Sequence, residues 1–192
     1  LGEASEDIVG MLDALEIPAA WLVGSSSGGY VAQRFAVDHP QRLLGLVLVG
    51  APASLAGLDP FGEILAGFHD PVTPQDVAAL NQRLALPGSI PGDFLDAQVA
   101  AALTIPRHVW LAGYEGLVAA APPTESGRIL APTLLLHGAD DTLLGPATAA
   151  GLVAAIPGSR LRMYQDTGHF VLWERPDWVA RDIADFLTPG RG

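Results

Sequence analysis

The sequence predicts an α/β fold: a mostly parallel sheet with flanking helices and a helical cap insertion. Three observations carry that expectation. Segments of helical periodicity alternate with short apolar runs near both ends of the chain, the order a parallel sheet requires. One run, Leu43–Val49, is continuously apolar, as suits a strand covered on both faces. Between the two alternating regions, residues 52–130 read as helices and loops with no β-rich run.

Ser5 is the expected cap of a first helix, with Glu6 and Asp7 in the first turn, where the helix dipole favours acids. Ile8, Met11, Leu12 and Leu15 keep helical spacing, and Pro18 is expected to close the element. Ala19–Val23 reads as a strand ending at Gly24. Gly28–Val37 reads as a helix stopped by Asp38-His39-Pro40, and Leu43–Val49 as the next strand. Helical stretches follow at Pro74–Leu84, Phe94–Leu103 and Arg107–Ala120. The α/β rhythm then returns with a strand at Thr133–His137, a helix at Pro146–Ile156, a strand at Arg160–Gln165 and a closing helix at Pro176–Leu187. Pro146 and Pro176 both suit a first helical position. Residues 1–51 and 131–192 are thereby assigned to the α/β core and 52–130 to the cap.

Composition removes several function classes. The chain has 192 residues, 49% of them hydrophobic and 16% charged, so a buried core is expected rather than disorder. Twenty-one acids face ten bases, all arginine, for a net charge of −11. That excess repels phosphate backbones and anionic lipid, so neither nucleic acid nor a membrane is expected as a partner. The longest apolar stretch, Leu43–Leu58, is broken by Gly45, Gly50 and Pro52 and is too short to span a bilayer. A cytoplasmic location is the expectation, and the oligomeric state is left open. Cysteine is absent, which removes disulfides, thiol nucleophiles and Cys-type metal sites. The histidines, at 39, 69, 108, 137 and 169, are too far apart for a short His-x-x-x-His motif. No cofactor or metal is implied.

Three segments can carry chemistry. Gly24-Ser25-Ser26-Ser27-Gly28-Gly29 falls between a strand and a helix and fits G-x-S-x-G, a turn that lifts a serine hydroxyl to the mouth of a helix N-terminus. The positions two before and two after the serine crowd together and call for glycine, which favours Ser26 as nucleophile. A shifted register centred on Ser27 remains open, as does a merely flexible Ser/Gly connection. A hydroxyl needs a base, and His169 in Asp166-Thr167-Gly168-His169-Phe170 follows the last strand. The base needs an acid to hold its tautomer. Asp141, at the end of the strand leading into His137-Gly138-Ala139-Asp140-Asp141, is the first choice, with Asp140 in reserve. Either aspartate alone would sooner be a turn or cap residue. His39 reads as a helix-end residue, His137 as a packing or hydrogen-bonding one, and His69 and His108 as candidates to line a pocket.

The order Ser, Asp, His, each after a strand, resembles the α/β-hydrolase superfamily, and its capped single-domain members in particular. The nucleophile motif matches Gly24–Gly29, the strand ending in Gly-x-x-Asp matches Gly138–Asp141, and Gly-His followed by Glu-x-Pro matches Gly168-His169 and Glu174–Pro176. The resemblance runs from about residue 5 to residue 188 and implies a serine hydrolase. Ser26 would attack a carbonyl, His169 shuttle the proton, Asp141 orient His169, and the Ser27 backbone N–H serve the oxyanion hole. Apolar residues of the cap (Phe61, Ile64, Leu65, Phe68, Val109, Trp110, Leu111) imply a small or medium, apolar, ester-like or carbonyl substrate, though most are expected to form cap core. C–C bond hydrolysis, lactone hydrolysis and cofactor-free haloperoxidase-like perhydrolysis stay open within the family. A non-catalytic scaffold or an inactive fragment is the competing class.

Two departures from the family pattern bear on this. Its proline usually stands four residues after the catalytic aspartate, whereas Pro146 stands five after Asp141. Similar proteins also carry several strands and a His-Gly loop ahead of the nucleophile, and no such segment precedes Ser26. The expectation is therefore a chain that lacks an N-terminal portion, with one oxyanion donor missing, the strand at Ala19–Val23 left at a sheet edge, and weak activity on its own.

Overall fold

The apolar runs form four parallel strands, β1 (Ala20–Ser25), β2 (Leu43–Val49), β3 (Thr133–Gly138) and β4 (Arg160–Tyr164), paired in the order β1-β2-β3-β4. The computed structural model describes residues 1–188. Every crossover is helical. α1 (Gly2–Ala14) precedes β1, α2 (Ser27–Asp38) joins β1 to β2, and α8 (Pro146–Ala155) joins β3 to β4. α9 (Val171–Glu174) and α10 (Pro176–Leu187) follow β4.

Alternation along β2 and β3 divides the core in two. Leu46, Leu48 and Leu135 face one layer with Leu12, Phe35, Leu152 and Ile156 from α1, α2 and the end of α8. Val47, Val49, Leu134 and Leu136 face the other, with Val171, Val179 and Phe186 from α9 and α10. Both faces of the central strands are covered, so both parities must be apolar. β1 lies at the sheet edge with β2 as its partner among the described residues, and Val23 is half exposed.

The start of α1 differs from expectation. Ser5 is not its cap: the helix begins at Gly2 with Leu1 at the N-cap, and the Ser5 N–H already donates to the Leu1 carbonyl. Ser5 is fully buried and its hydroxyl has no partner among the described residues. Its value there is small size, since a larger residue would not fit a closed position. Pro18 does not end the helix either. Glu16 turns the chain with a φ of 55°, and the Ile17 N–H returns to the Leu12 carbonyl. β1 runs on through Gly24 and Ser25, because both remain in register with Leu48 and Val49.

Between β2 and β3 lie five helices: α3 (Gly62–Ala66), α4 (Pro74–Leu84), α5 (Gly92–Ala102), α6 (Arg107–Val118) and α7 (Pro123–Ser126). They hold a separate apolar cluster of Leu65, Phe68, Val72, Val77 and Leu80, with Ile64, Trp110 and Leu111 packed against it. α4 starts with a capping box, Thr73 accepting from the Asp76 N–H while the Asp76 carboxylate accepts from the Thr73 N–H. The same carboxylate accepts from the His69 backbone and ring nitrogens. Burial works to raise its pKa, but these donors outweigh burial and hold it well below the usual carboxylate range.

Candidate active site

The chain leaves β1 at Ser25 and enters α2 at Ser27, so Ser26 must turn it within one residue. It does so with φ 48° and ψ −120°, a conformation L-residues rarely adopt. Its N–H is held by the Val49 carbonyl at 2.9 Å, and its own carbonyl accepts from Gly29. Glycine is required at 24 and 29. A Cβ on Gly24 would sit 2.6 Å from the Gly28 carbonyl oxygen, and one on Gly29 2.4 Å from the Ala51 Cβ. The expectation that Gly28 is the second crowded position is corrected by the structure: a Cβ there meets nothing within 4 Å. The close crossing of α2 over the strand ends falls one residue later, where Ala51 follows β2, and Gly28 faces a cavity instead.

The Ser26 hydroxyl and His169 Nε2 are 2.8 Å apart, and His169 Nδ1 lies 2.8 Å from Asp141 Oδ2. The other carboxylate oxygen, Oδ1, accepts from the backbone N–H groups of Leu143 and Leu144 at 2.9 and 2.8 Å. A carboxylate partner requires the proton on Nδ1, which leaves the Nε2 lone pair to accept from the hydroxyl. Burial raises the Asp141 pKa, but the imidazole hydrogen bond and charge together with the Leu144 N–H more than offset it, and the pKa is lowered. Asp141 and His169 are both buried. Asp140 is exposed, and its backbone N–H bonds to the Thr167 carbonyl. Ser27 is exposed too, and Ser26 is the serine that faces His169. As first residue of α2, Ser27 carries one of the N–H groups that a helix leaves unpaired.

Other groups fix the three side chains. His137 is buried, and its Nε2–H donates to the Leu144 carbonyl at 2.6 Å, tying down the loop that holds Asp141. Burial pushes its pKa down, despite opposing effects from Asp141 and Leu144. The Gly168 N–H donates to Glu174 Oε2 at 3.0 Å, and the His169 N–H donates to the Leu84 carbonyl at 3.2 Å. A Cβ on Gly138 would fall 2.2 Å from the Gly168 carbonyl oxygen, so the acid and base loops touch backbone to backbone. Sequence reasoning assigned no site role to Leu84 or Glu174. Glu174 could have been read from its place in Glu-x-Pro; Leu84 contributes only a main-chain carbonyl, which leaves no mark on residue identity.

A cavity of about 630 Å³ opens over Ser26, Ser27 and Gly28. Of the apolar residues expected to meet substrate, Phe61, Leu65, Val109 and Trp110 line it, while Ile64, Phe68 and Leu111 pack in the helical cluster. His69 is bonded to Asp76 and His108 is exposed; neither is part of the lining, contrary to their candidacy. His39 caps the end of α2 and meets Glu6. Among the described residues, no cluster of three His, Cys, Asp or Glu side chains could hold a metal, and no helix is long and apolar enough to cross a membrane.

The chain resembles known proteins along nearly its whole length. It is 32% identical over 194 residues to 2-hydroxymuconate semialdehyde hydrolase of a Pseudomonas species, covering 94% of this chain and 66% of that one. It is 30% identical over 190 residues to 2-hydroxy-6-oxononadienedioate/2-hydroxy-6-oxononatrienedioate hydrolase of Cupriavidus pinatubonensis, covering 93% of this chain and 65% of that one. The chain thus spans about two thirds of the length of these relatives. Among solved structures it matches Est816, described as an N-acyl homoserine lactone degrading enzyme, with a TM-score of 0.77 and 28% identity, covering 95% of this chain and 73% of that one. Residues 2–182 match the model of the alpha/beta hydrolase family, and the chain belongs to that family.

Proposed function

We propose that the protein is a serine hydrolase of a small or medium apolar carbonyl compound, with Ser26 as nucleophile, His169 as base and Asp141 as the acid that orients it. The observation that carries this reading is the unbroken relay of two 2.8 Å contacts from Ser26 Oγ through the imidazole to Asp141. His169 Nε2 takes the hydroxyl proton as Oγ bonds to the carbonyl carbon. The negative charge that forms on the carbonyl oxygen is met by the Ser27 N–H. Nε2 then returns the proton to the leaving group, the bond to that group breaks, and an acyl-enzyme remains. Water, deprotonated by the same nitrogen, adds to the acyl carbon; the bond to Oγ then breaks, Nε2 returns its proton to Oγ, and the acid leaves. In this reading residues 52–130 are the cap that closes the cavity over Ser26.

A second reading is supported by the relatives, whose names describe hydrolysis of 2-hydroxy-6-oxo-dienoate-type compounds. There the bond broken lies between the carbonyl carbon and carbon, and Nε2 would protonate a carbanion equivalent in place of an alkoxide. A fluorophosphonate probe tests the shared first step. The expected result is a single adduct mapped to Ser26 and lost in Ser26→Ala and His169→Ala. A folded sample that stays unlabelled, or is labelled at Ser27, refutes the proposal. Comparing an aryl ester with a vinylogous 1,5-diketone as substrates then separates the two readings.

A further inference from the structure

We infer that His137 is a positioning residue for the proposed catalytic acid: through Leu144 it fixes the Asp141 carboxylate, and by committing its Nε2 proton to the Leu144 carbonyl it leaves Asp141 Oδ2 to His169. The inference rests on the proposed function, in which Asp141 orients the base.

Asp141 stands beyond the end of β3, in a stretch, residues 141–145, that is neither helix nor strand. Two backbone donors of that same stretch place its carboxylate, the N–H groups of Leu143 and Leu144 on Oδ1. They orient the acid only as firmly as they are themselves held. Leu144 is held at three points. Its N–H is on Asp141 Oδ1, its side chain is buried against Tyr30 and Leu55, and its carbonyl accepts from His137 Nε2–H at 2.6 Å. His137 in turn belongs to β3, which is paired on both sides, with β2 and with β4, where His137 stands opposite Met163. The imidazole is thus a strut from the most constrained part of the sheet to the loop that carries the acid.

The second half of the inference follows from the distances. His169 Nδ1 lies 2.8 Å from Asp141 Oδ2, and His137 Nε2 lies 3.7 Å from the same oxygen, outside hydrogen-bond range. Two imidazoles therefore flank one buried carboxylate, and one of them is bonded to it. A neutral imidazole carries a single N–H, and the Leu144 carbonyl takes the one on His137. Burial disfavours the charged form of His137, which keeps a rival cation away from Asp141. An N–H left free at that position would turn to Oδ2 and draw the carboxylate off its line to His169. An aliphatic residue there would leave the buried Leu144 carbonyl without its donor.

The test compares His137→Gln, His137→Asn and His137→Leu in the whole chain. The glutamine amide reaches about as far from the backbone as imidazole Nε2 and can donate to Leu144; asparagine is too short, and leucine has no donor. Two quantities are read on samples shown to be folded by far-UV dichroism. One is the rate of fluorophosphonate labelling at Ser26. The other is the low-field proton resonance of the His169 Nδ1–H, identified by its loss in Asp141→Asn. His137→Leu and His137→Asn are expected to label at least about 10-fold more slowly, the scale of loss that follows from misplacing a catalytic group, with the His169 resonance moved or broadened. His137→Gln is expected to label within about threefold of the unmodified chain and to keep the resonance. A smaller loss in His137→Leu, or a larger one in His137→Gln, overturns the inference. So does a slow His137→Leu whose His169 resonance is unmoved, because the loss then does not pass through Asp141. Where His137→Leu does not fold, the glutamine and asparagine variants decide by the same criteria. A folded, unmodified chain that stays unlabelled removes the hydrolase reading and the inference with it; a labelled chain whose variants miss these values removes the inference alone.

Discussion

Replacing Asp141 with asparagine should disable His169 through its tautomer while leaving the fold intact. Two backbone donors, Leu143 and Leu144 N–H, converge on Oδ1 at 2.9 and 2.8 Å. They need an acceptor, so the asparagine carbonyl oxygen takes that place and its NH₂ is turned toward His169 Nδ1. An NH₂ facing Nδ1 requires an unprotonated nitrogen, which moves the ring proton to Nε2. Nε2 then faces Ser26 with a proton already on it and cannot accept another. Where the same tautomer reversal has been measured in serine proteases, the loss is about 10⁴-fold, or about 5.4 kcal/mol of transition-state stabilisation. The rate of fluorophosphonate labelling at Ser26 reads the step directly, and far-UV dichroism with thermal melting verifies the fold. Asp140→Asn, on an exposed side chain, serves as the control and should label within about twofold of the unmodified chain. An Asp141→Asn variant that keeps a tenth or more of the labelling rate would refute the tautomer argument. An Asp140→Asn variant that loses it would move the acid to Asp140.

Three further outcomes follow from the geometry around the site. Gly29→Ala forces a Cβ to 2.4 Å from the Ala51 Cβ and should cost about 1–3 kcal/mol by thermal melting, whereas Gly28→Ala meets open space and should melt no lower than the unmodified chain. Glu174→Ala leaves the buried Gly168 N–H without its acceptor and should cost about 1–3 kcal/mol in urea unfolding; Glu174→Gln keeps an acceptor oxygen and should recover most of it. His137 has a pKa below its ordinary value of about 6.5, so the unfolded chain binds the extra proton first and stability should fall as pH drops below that value. His137→Phe should flatten that part of the urea-midpoint profile between pH 7 and 5, and an unchanged slope would show that another group carries it.

What could be read in the sequence was local. Pro74–Leu84 is legible to the residue because its start is written in adjacent chemistry: Thr73 and Asp76 satisfy each other across one turn, and Pro74 stands where no N–H is needed. β2 is legible because both its faces are covered, so no polar residue interrupts it. α3, α7 and α9 are four or five residues long, too short to establish a helical period, and they form because packed neighbours hold them. Ser5 looked like a cap because capping residues are small and polar; the same small side chain also suits a closed helix contact, and sequence does not separate the two uses. At the site, Ser26, Asp141 and His169 each follow a strand end, so chemistry and position together mark them. The Leu84 carbonyl does not carry such a mark. It comes from a helix end 85 residues before His169 in the chain, and any residue with the right backbone path would serve equally.

The one place where local preference is openly violated is the proposed nucleophile, and the violation explains the density of contacts around it. A serine at φ 48° and ψ −120° costs of order 1–3 kcal/mol and persists only where the surroundings leave no alternative. Relaxing Ser26 toward an extended backbone would pull its N–H off the Val49 carbonyl and its carbonyl off Gly29, and would drive Gly24 or Gly29 against neighbours already at the limit of approach. Relaxing it toward a helical backbone would carry the hydroxyl away from His169. The base is held just as closely: its N–H to Leu84, the preceding N–H to Glu174, and its ring between Asp141 and Ser26. Leu84 also lines the cavity over Ser26, so the helix end whose carbonyl accepts from the His169 N–H belongs both to the cavity and to the support of the proposed base.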